Sequence, residues 1–153
     1  MIIGVIGGNS VDNQTYELEY QLGKAIAKEG WIIVCGGLRG VMEAVSKGAF
    51  ENGGLTVGIL PGNNKNTANP WIKIPIPTGI GVARNYIIVY TADIIVAING
   101  RYGTLNEITA AFNAGKKVIG LNTWEMNKLN IDNNLFIPVS SVEEVIKKIK
   151  EIE

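Results

Sequence analysis

Short apolar runs ended by glycine or proline alternate with amphipathic stretches along most of this chain. That alternation constrains the fold more than any other feature. Ile2–Ile6, Trp31–Cys35, Leu55–Leu60, Asp93–Ile98 and Lys117–Leu121 are short and almost continuously apolar. Strands buried on both faces of a parallel sheet read this way, because helices cover them above and below. Between them lie helical periods. Gln14–Glu29 places Leu18, Leu22, Ala25 and Ile26 on one face and stops at Gly30, and a second helix after Gly36-Gly37 carries Val41, Met42, Val45, Ala49 and Phe50. A third helix is expected over Thr104–Ala114, stopped by Gly115. The expected architecture is α/β: a three-layer, doubly wound, mainly parallel sheet with helices on both faces.

The remaining segments fit that frame less regularly. Asn63–Pro70 is the most polar stretch and reads as an exposed loop, and Trp71–Ile76 as a short strand limited by Pro75. Val82–Thr91 is helical in pattern but apolar nearly all round, so it is expected to face a second copy of the chain as well as its own core. Asn122–Asn134 is irregular, and Leu135–Val139 is a candidate last strand. Ser141-Val142-Glu143-Glu144 is a capping box that opens a final helix. With 153 residues and neither a repeat nor a dividing linker, the chain is expected to be one domain.

Composition excludes several function classes. Formal net charge is zero, and the lysines near the end interleave with glutamates, which gives no electrostatic footing for a nucleic-acid partner. There is no histidine, so Ser-His-Asp triads, His-based acid–base chemistry and the usual zinc sites are absent, and no metal site is expected. The lone Cys35 ends an apolar strand and reads as a buried, inert thiol. No apolar run approaches the ~18 residues of a membrane span, and no basic leader precedes the first strand. The expected location is the cytoplasm, with no membrane partner.

The three arginines point to a site. Against eleven lysines they are scarce, and each sits in or beside a glycine-rich segment: Arg39 in Gly36-Gly37-Leu38-Arg39-Gly40, Arg84 behind Gly79 and Gly81, and Arg101 in Gly100-Arg101-Tyr102-Gly103-Thr104. A guanidinium is a fixed fork of donors suited to phosphate or carboxylate. Glycine turns at helix starts offer backbone N–H groups to the same anions. In a doubly wound sheet these turns gather at the carboxyl ends of the strands. Gly7, Gly8 and Asn9 follow the first strand and serve either a tight turn or a ligand. Gly36-Gly37-x-x-Gly40 reads either as a phosphate cradle or as close helix–sheet packing. Thr104-x-x-Glu107 reads either as a capping box or as a carboxylate turned to the ligand. Arg84, amid apolar neighbours, needs an acidic partner or a ligand, because burying it unpaired is costly.

Together these residues resemble the LOG-like (SLOG) Rossmann superfamily, whose paired hallmarks are Gly-Gly-x-x-Gly-x-Met and Pro-Gly-Gly-x-Gly-Thr-x-x-Glu. Here the first stands complete as Gly36-Gly37-Leu38-Arg39-Gly40-Val41-Met42. The second stands as Asn99-Gly100-Arg101-Tyr102-Gly103-Thr104-Leu105-Asn106-Glu107, with Asn99 for proline and Arg101 for the second glycine. The resemblance covers roughly residues 1 to 121. Gly40-Val41-Met42-Glu43-Ala44, Gly58-Ile59-Leu60-Pro61-Gly62, Ala68-Asn69 and Thr78-Gly79-x-Gly81-x-Ala83-Arg84-Asn85 look most like the molybdenum-cofactor-carrier branch.

The resemblance implies a Rossmann-like, homo-oligomeric protein, dimer or tetramer, that binds a phosphorylated small molecule at the strand ends. A bound nucleotide or molybdenum cofactor is the expected guest, and no cofactor is required. Gly7, Gly8, Asn9, Gly36, Gly37, Arg39, Gly79, Gly81, Asn85, Gly100, Arg101, Tyr102, Gly103 and Thr104 are the expected ligand and phosphate contacts. The alternative is the phosphoribohydrolase branch, which cleaves a nucleoside 5′-monophosphate into base and ribose 5-phosphate. Its functional arginine and glutamate fall on Arg84 and Glu107, while Asn85 stands where a lysine usually follows the arginine. Members of the superfamily are often labelled lysine decarboxylases, but nothing in this chain points to a pyridoxal phosphate site.

Overall fold

The computed structural model describes residues 1–9, 12–129 and 134–153. Ser10 of the first glycine turn and residues 130–133 of the Asn122–Asn134 segment lie outside the described residues. Seven strands form one sheet: β1 (Ile2–Gly7), β2 (Ile32–Cys35), β3 (Thr56–Leu60), β4 (Ile74–Pro77), β5 (Ile94–Ile98), β6 (Val118–Leu121) and β7 (Phe136–Val139). Their spatial order is β4-β3-β2-β1-β5-β6-β7, and every pairing is parallel. The winding reverses between β1 and β5, so the turns that follow those two strands flank the crevice where doubly wound folds take ligands.

Five helices cover the sheet: α1 (Asn13–Lys28), α2 (Val41–Glu51), α3 (Arg84–Thr91), α4 (Tyr102–Asn113) and α5 (Val142–Ile152). Side-chain alternation along the strands divides the core in two. Ile3 and Val5 of β1 pack with Leu22 and Ile26 of α1, Val45 of α2 and Val145 and Ile149 of α5. On the other face, Ile6 packs with Ile88 and Val89 of α3 and Ile108 of α4. The doubly wound architecture expected from the apolar runs is therefore the one observed.

Local differences have local causes. The strand expected at Trp71–Ile76 begins at Ile74, because side chains hold the preceding residues in a turn. The Trp71 carbonyl accepts from the Thr56 hydroxyl at 2.7 Å, and the Trp71 N–H donates to Asn69 Oδ1 at 3.0 Å. α4 begins at Tyr102, two residues before the expected start, which moves Thr104 from the cap into the first turn. Helix α5 opens as its capping box predicts, with the Glu144 N–H donating to Ser141 Oγ at 3.2 Å, although the Glu144 carboxylate reaches Ser140 N–H rather than Ser141. No helix among the described residues is long and apolar enough to cross a membrane.

Helices α1 and α2 cross in close contact. A Cβ built on Gly23 would lie 2.0 Å from the Val45 carbonyl oxygen, and one on Gly48 would lie 2.0 Å from that of Tyr20. Both obstacles are backbone, so neither can swing aside. Gly48→Ala should therefore destabilise the protein by about 1–3 kcal/mol in urea unfolding. A gain approaching ~1 kcal/mol, the ordinary return of removing a helical glycine, would contradict this packing.

Candidate functional site

Three helices begin at the carboxyl edge beside the crevice, and their first turns are treated differently. At α1, Asp12 Oδ1 accepts the Thr15 N–H at 2.8 Å. At α2, the Val41 N–H donates to the Gly8 carbonyl at 3.0 Å. At α4, no side chain caps the helix, and its first backbone bond is Leu105 N–H to the Arg101 carbonyl at 3.0 Å. The N–H groups of Tyr102, Gly103 and Thr104 meet no acceptor among the described residues. Such donors, with the positive end of the helix dipole behind them, have the chemistry that holds an anion at a helix start. Gly100 makes the turn possible: its φ is +91°, and a Cβ there would lie 2.0 Å from Thr104 Oγ1.

α4 opens onto a cleft of about 690 Å³ that gathers Gly7, Gly8, Asn9, Arg84, Asn85, Gly100, Arg101, Gly103, Thr104 and Glu107. Ile6, Met42, Pro61 and Val82 supply its apolar walls. Arg84 comes from the start of α3 and Glu107 from the second turn of α4, so two distant helices bring the charges together. Their closest approach, Nη1 to Oε1, is 3.9 Å, with both side chains about nine-tenths buried. Arg84 Nη1 also donates to Asn85 Oδ1, while its Nε is buried without a partner. Burial pulls the guanidinium below its ordinary value, and Glu107 works against that. Burial likewise lifts the Glu107 carboxyl from 4.5 to about 7, despite the pull of Arg84 in the other direction. The pair is loose and under-satisfied, an arrangement with room for a third, anionic member.

The other expected contacts occupy different places. Gly36 lies behind Arg84, where a Cβ would come within 2.7 Å of Nη2, so its bareness makes room for the guanidinium. A Cβ on Gly37 would meet Leu60, and one on Gly40 would lie 2.3 Å from the Gly8 carbonyl oxygen. This first hallmark thus packs strand and turn closely around the cleft. Gly79 and Gly81 pin the approach to α3 through N–H bonds of 2.9 Å to the Gly62 and Pro61 carbonyls. Tyr102 is 81% exposed and tilts against Trp124 with ring centroids 6.4 Å apart.

Two expectations are corrected. The three arginines do not share one cleft: Arg39 is exposed and borders a separate hollow with Asn66 and Asn69, which among the described residues shares only Asn9 with the main cleft. The capping-box reading of Glu107 fails, because Thr104 lies inside the helix and Glu107 turns to Arg84. Sequence reasoning also missed the apolar walls. Met42 stood in a quoted hallmark, but nothing in its spacing says that it faces the cleft. Cys35 is buried against Ser46 Oγ at 3.6 Å, behind the Arg84–Glu107 pair and close enough to feel both charges, and burial raises its thiol above the ordinary value.

A doubly wound, all-parallel sheet with its switch point between β1 and β5 defines a Rossmann-like α/β protein. More narrowly, residues 1–149 match the SLOG cluster4 family model, and the chain belongs to that family. It is similar to the molybdenum cofactor binding protein from the phototrophic bacterium Rippkaea orientalis, at 39% identity and a TM-score of 0.92, covering 99% of this chain and 96% of that one. The molybdenum cofactor carrier protein of Chlamydomonas reinhardtii is similar at 36% identity and a TM-score of 0.91, covering 98% and 96%. A cytokinin riboside 5′-monophosphate phosphoribohydrolase of Mycobacterium marinum is 30% identical over 117 residues, 71% of this chain and 63% of that protein.

The Glu107 carboxyl gives a signed pH dependence. Its folded value lies above its ordinary one, so the folded chain holds a proton that the unfolded chain has lost. Stability should therefore fall as pH rises from about 4.5 through about 7, by on the order of 3 kcal/mol from this group. Urea midpoints measured across that range should fall less steeply in Glu107→Gln. An unchanged slope would mean that Glu107 ionises without penalty.

Proposed function

We propose that this protein binds a phosphorylated small molecule, a nucleotide or a molybdopterin-type cofactor, in a binding or carrier role. The observation that carries this reading is the first turn of α4, whose unmatched N–H donors open on the cleft beside the half-satisfied Arg84. In this reading the phosphate sits on the Gly103 and Thr104 amides, Arg84 and Arg101 neutralise it, and Gly7, Gly8 and Asn9 approach from β1. A Glu107 carboxyl titrating near neutrality opposes an incoming anion less than an ordinary glutamate does. The cleft volume suits a ligand of mononucleotide or pterin size. Among the described residues no three His, Cys, Asp or Glu side chains are grouped as a metal ion would require. The side chains therefore address the anionic end of such a cargo. The similarity to a molybdenum cofactor binding protein and a molybdenum cofactor carrier protein supports the carrier role.

Phosphoribohydrolysis is the second reading, favoured by Arg84 and Glu107 sharing one cleft and by the relative that bears that name. Arg84 would hold the 5′-phosphate. Glu107 would stabilise an oxocarbenium-like ribose or orient a water that adds to it as the bond to the base breaks.

Self-association is part of the proposal. Val82 is 71% exposed and also lines the cleft, and Tyr90, 64% exposed, stacks on Tyr86 on the same outward face of α3. A second copy seated there would shield the apolar surface and the mouth of the site together. Sedimentation should give a dimer or tetramer, and Tyr90→Asp should give monomer. A monomeric parent protein would remove this element.

Calorimetry with AMP and with molybdopterin-type cofactor should find binding of at least one, weakened tenfold or more, at least ~1.4 kcal/mol, by Arg84→Gln. Equal affinity in the variant, or no binding of either, would defeat the binding reading. Under the second reading, nucleoside monophosphates should yield free base and ribose 5-phosphate with the parent protein and not with Glu107→Ala. Equal background from both would remove the enzyme.

A further inference from the structure

Glu19 is a charged residue type in a place where charge is expensive. It lies on α1, has no solvent exposure, and its Oε2 has no hydrogen-bond partner. Its Oε1 accepts from Asn99 Nδ2 at 3.4 Å, a long bond to a residue 80 positions away. An apolar residue of similar size would fill the space without the burial penalty of a carboxyl group. Among the described residues, the one hydrogen bond Glu19 makes with its side chain is to the turn that carries the anion site.

Asn99 is held on several sides. Its φ is +47°, a left-handed conformation that asparagine tolerates better than most side chains. Its carbonyl accepts the Thr123 hydroxyl at 2.6 Å, and its side chain ends on Glu19. Gly100 and Arg101 follow directly and line the cleft. The orientation of Asn99 therefore sets the entry to the first turn of α4.

We propose that Glu19 is a positioning residue for the anion-binding turn: its carboxyl anchors Asn99, and with it Gly100 and Arg101, and loss of its proton places a buried negative charge behind that turn and weakens anion binding. The inference rests on the Gly100–Thr104 turn being the anion site. The ionised carboxylate would be a buried negative charge behind that turn with one distant donor, and it would oppose a bound anion and draw water into the gap.

The surroundings support a proton-linked role. Burial raises the Glu19 carboxyl to about 7, and the Asn99 amide works against that shift. Asp12, at the start of the same helix, adds a further upward push. Tyr16, one turn earlier, is raised first by burial, then by Glu43 and Glu51 of α2 and by Glu19. Glu51 of α2 bonds the Tyr20 hydroxyl, and Lys150 of α5 bonds Glu29. No cation from these packed elements acts on Glu19.

Sulfate is a suitable probe because its charge is constant near neutrality, and a Glu107→Gln background removes the other carboxyl that titrates there. In that background, sulfate affinity should fall about fivefold or more between about pH 6 and about pH 8.5. Adding Glu19→Gln, which keeps an oxygen acceptor for Asn99, should flatten the profile at the tight end. Adding Glu19→Ala should weaken binding at both ends. An unaltered pH profile with Glu19→Gln, or alanine binding as well as glutamine, would overturn the proposal. A second readout is independent of ligand. In the unliganded Glu107→Gln protein, the Gly100 and Arg101 backbone amides should titrate by NMR near pH 7, and Glu19→Gln should abolish that. Titration that persists would refute the role of Glu19. If that titration behaves as described but no protein binds sulfate, it is the anion-site reading that fails.

Discussion

A buried guanidinium that its own protein only half satisfies is the constraint around which this molecule is arranged. Arg84 approaches Glu107 no closer than 3.9 Å, bonds its neighbour Asn85, and leaves Nε without a partner. Much of the surrounding structure accommodates that group. Gly36 is bare where a Cβ would press on it, Met42 and Val82 line the cleft beside it, and α4 brings Glu107 to it. A cluster built for stability alone would close the pair into a short, doubly bonded bridge or replace it with apolar residues. Here the two groups stand 3.9 Å apart in a cleft lined by unmatched backbone donors, and the proposed anion site would use both features.

Two helix N-termini at the same sheet edge make the contrast physical. That of α2 is met by the Gly8 carbonyl, and that of α1 by Asp12. Only at α4, among these three, do all of the first three amides lack an acceptor among the described residues. The difference separates α4 from the other two more sharply than glycine content does, since all three helices follow glycine-bearing turns. It also separates the two hallmarks of the family: the first packs α2 and its turn around Arg84, and the second presents donors to the cleft.

The architecture was legible because its signals are local. Each buried strand is a short apolar run, and each helix carries its own period, so their alternation defines the layers without knowledge of any contact. The site was legible in part. Arg84 and the Gly100–Thr104 turn meet, as expected of turns at one sheet edge. Arg39 does not join them, because adjacency to a glycine pair says nothing about the direction in which an exposed side chain leaves the turn. Glu107 satisfied a capping pattern by spacing alone, and only the fold brings Arg84, 23 positions earlier, to its face. Glu19 was hidden among the charged residues of α1, although it stands three positions before buried Leu22 and seven before buried Ile26. That helical spacing is the one signal that could have marked it.

The central claim is that the first turn of α4 and Arg84 together hold one anion. A crystal structure determined in the presence of inorganic phosphate tests it most directly. The account predicts a phosphate within hydrogen-bond distance of the Gly103 and Thr104 amides and of the Arg84 guanidinium. Phosphate bound only elsewhere, with Arg84 and Glu107 closed on each other and water on the α4 amides, would contradict it.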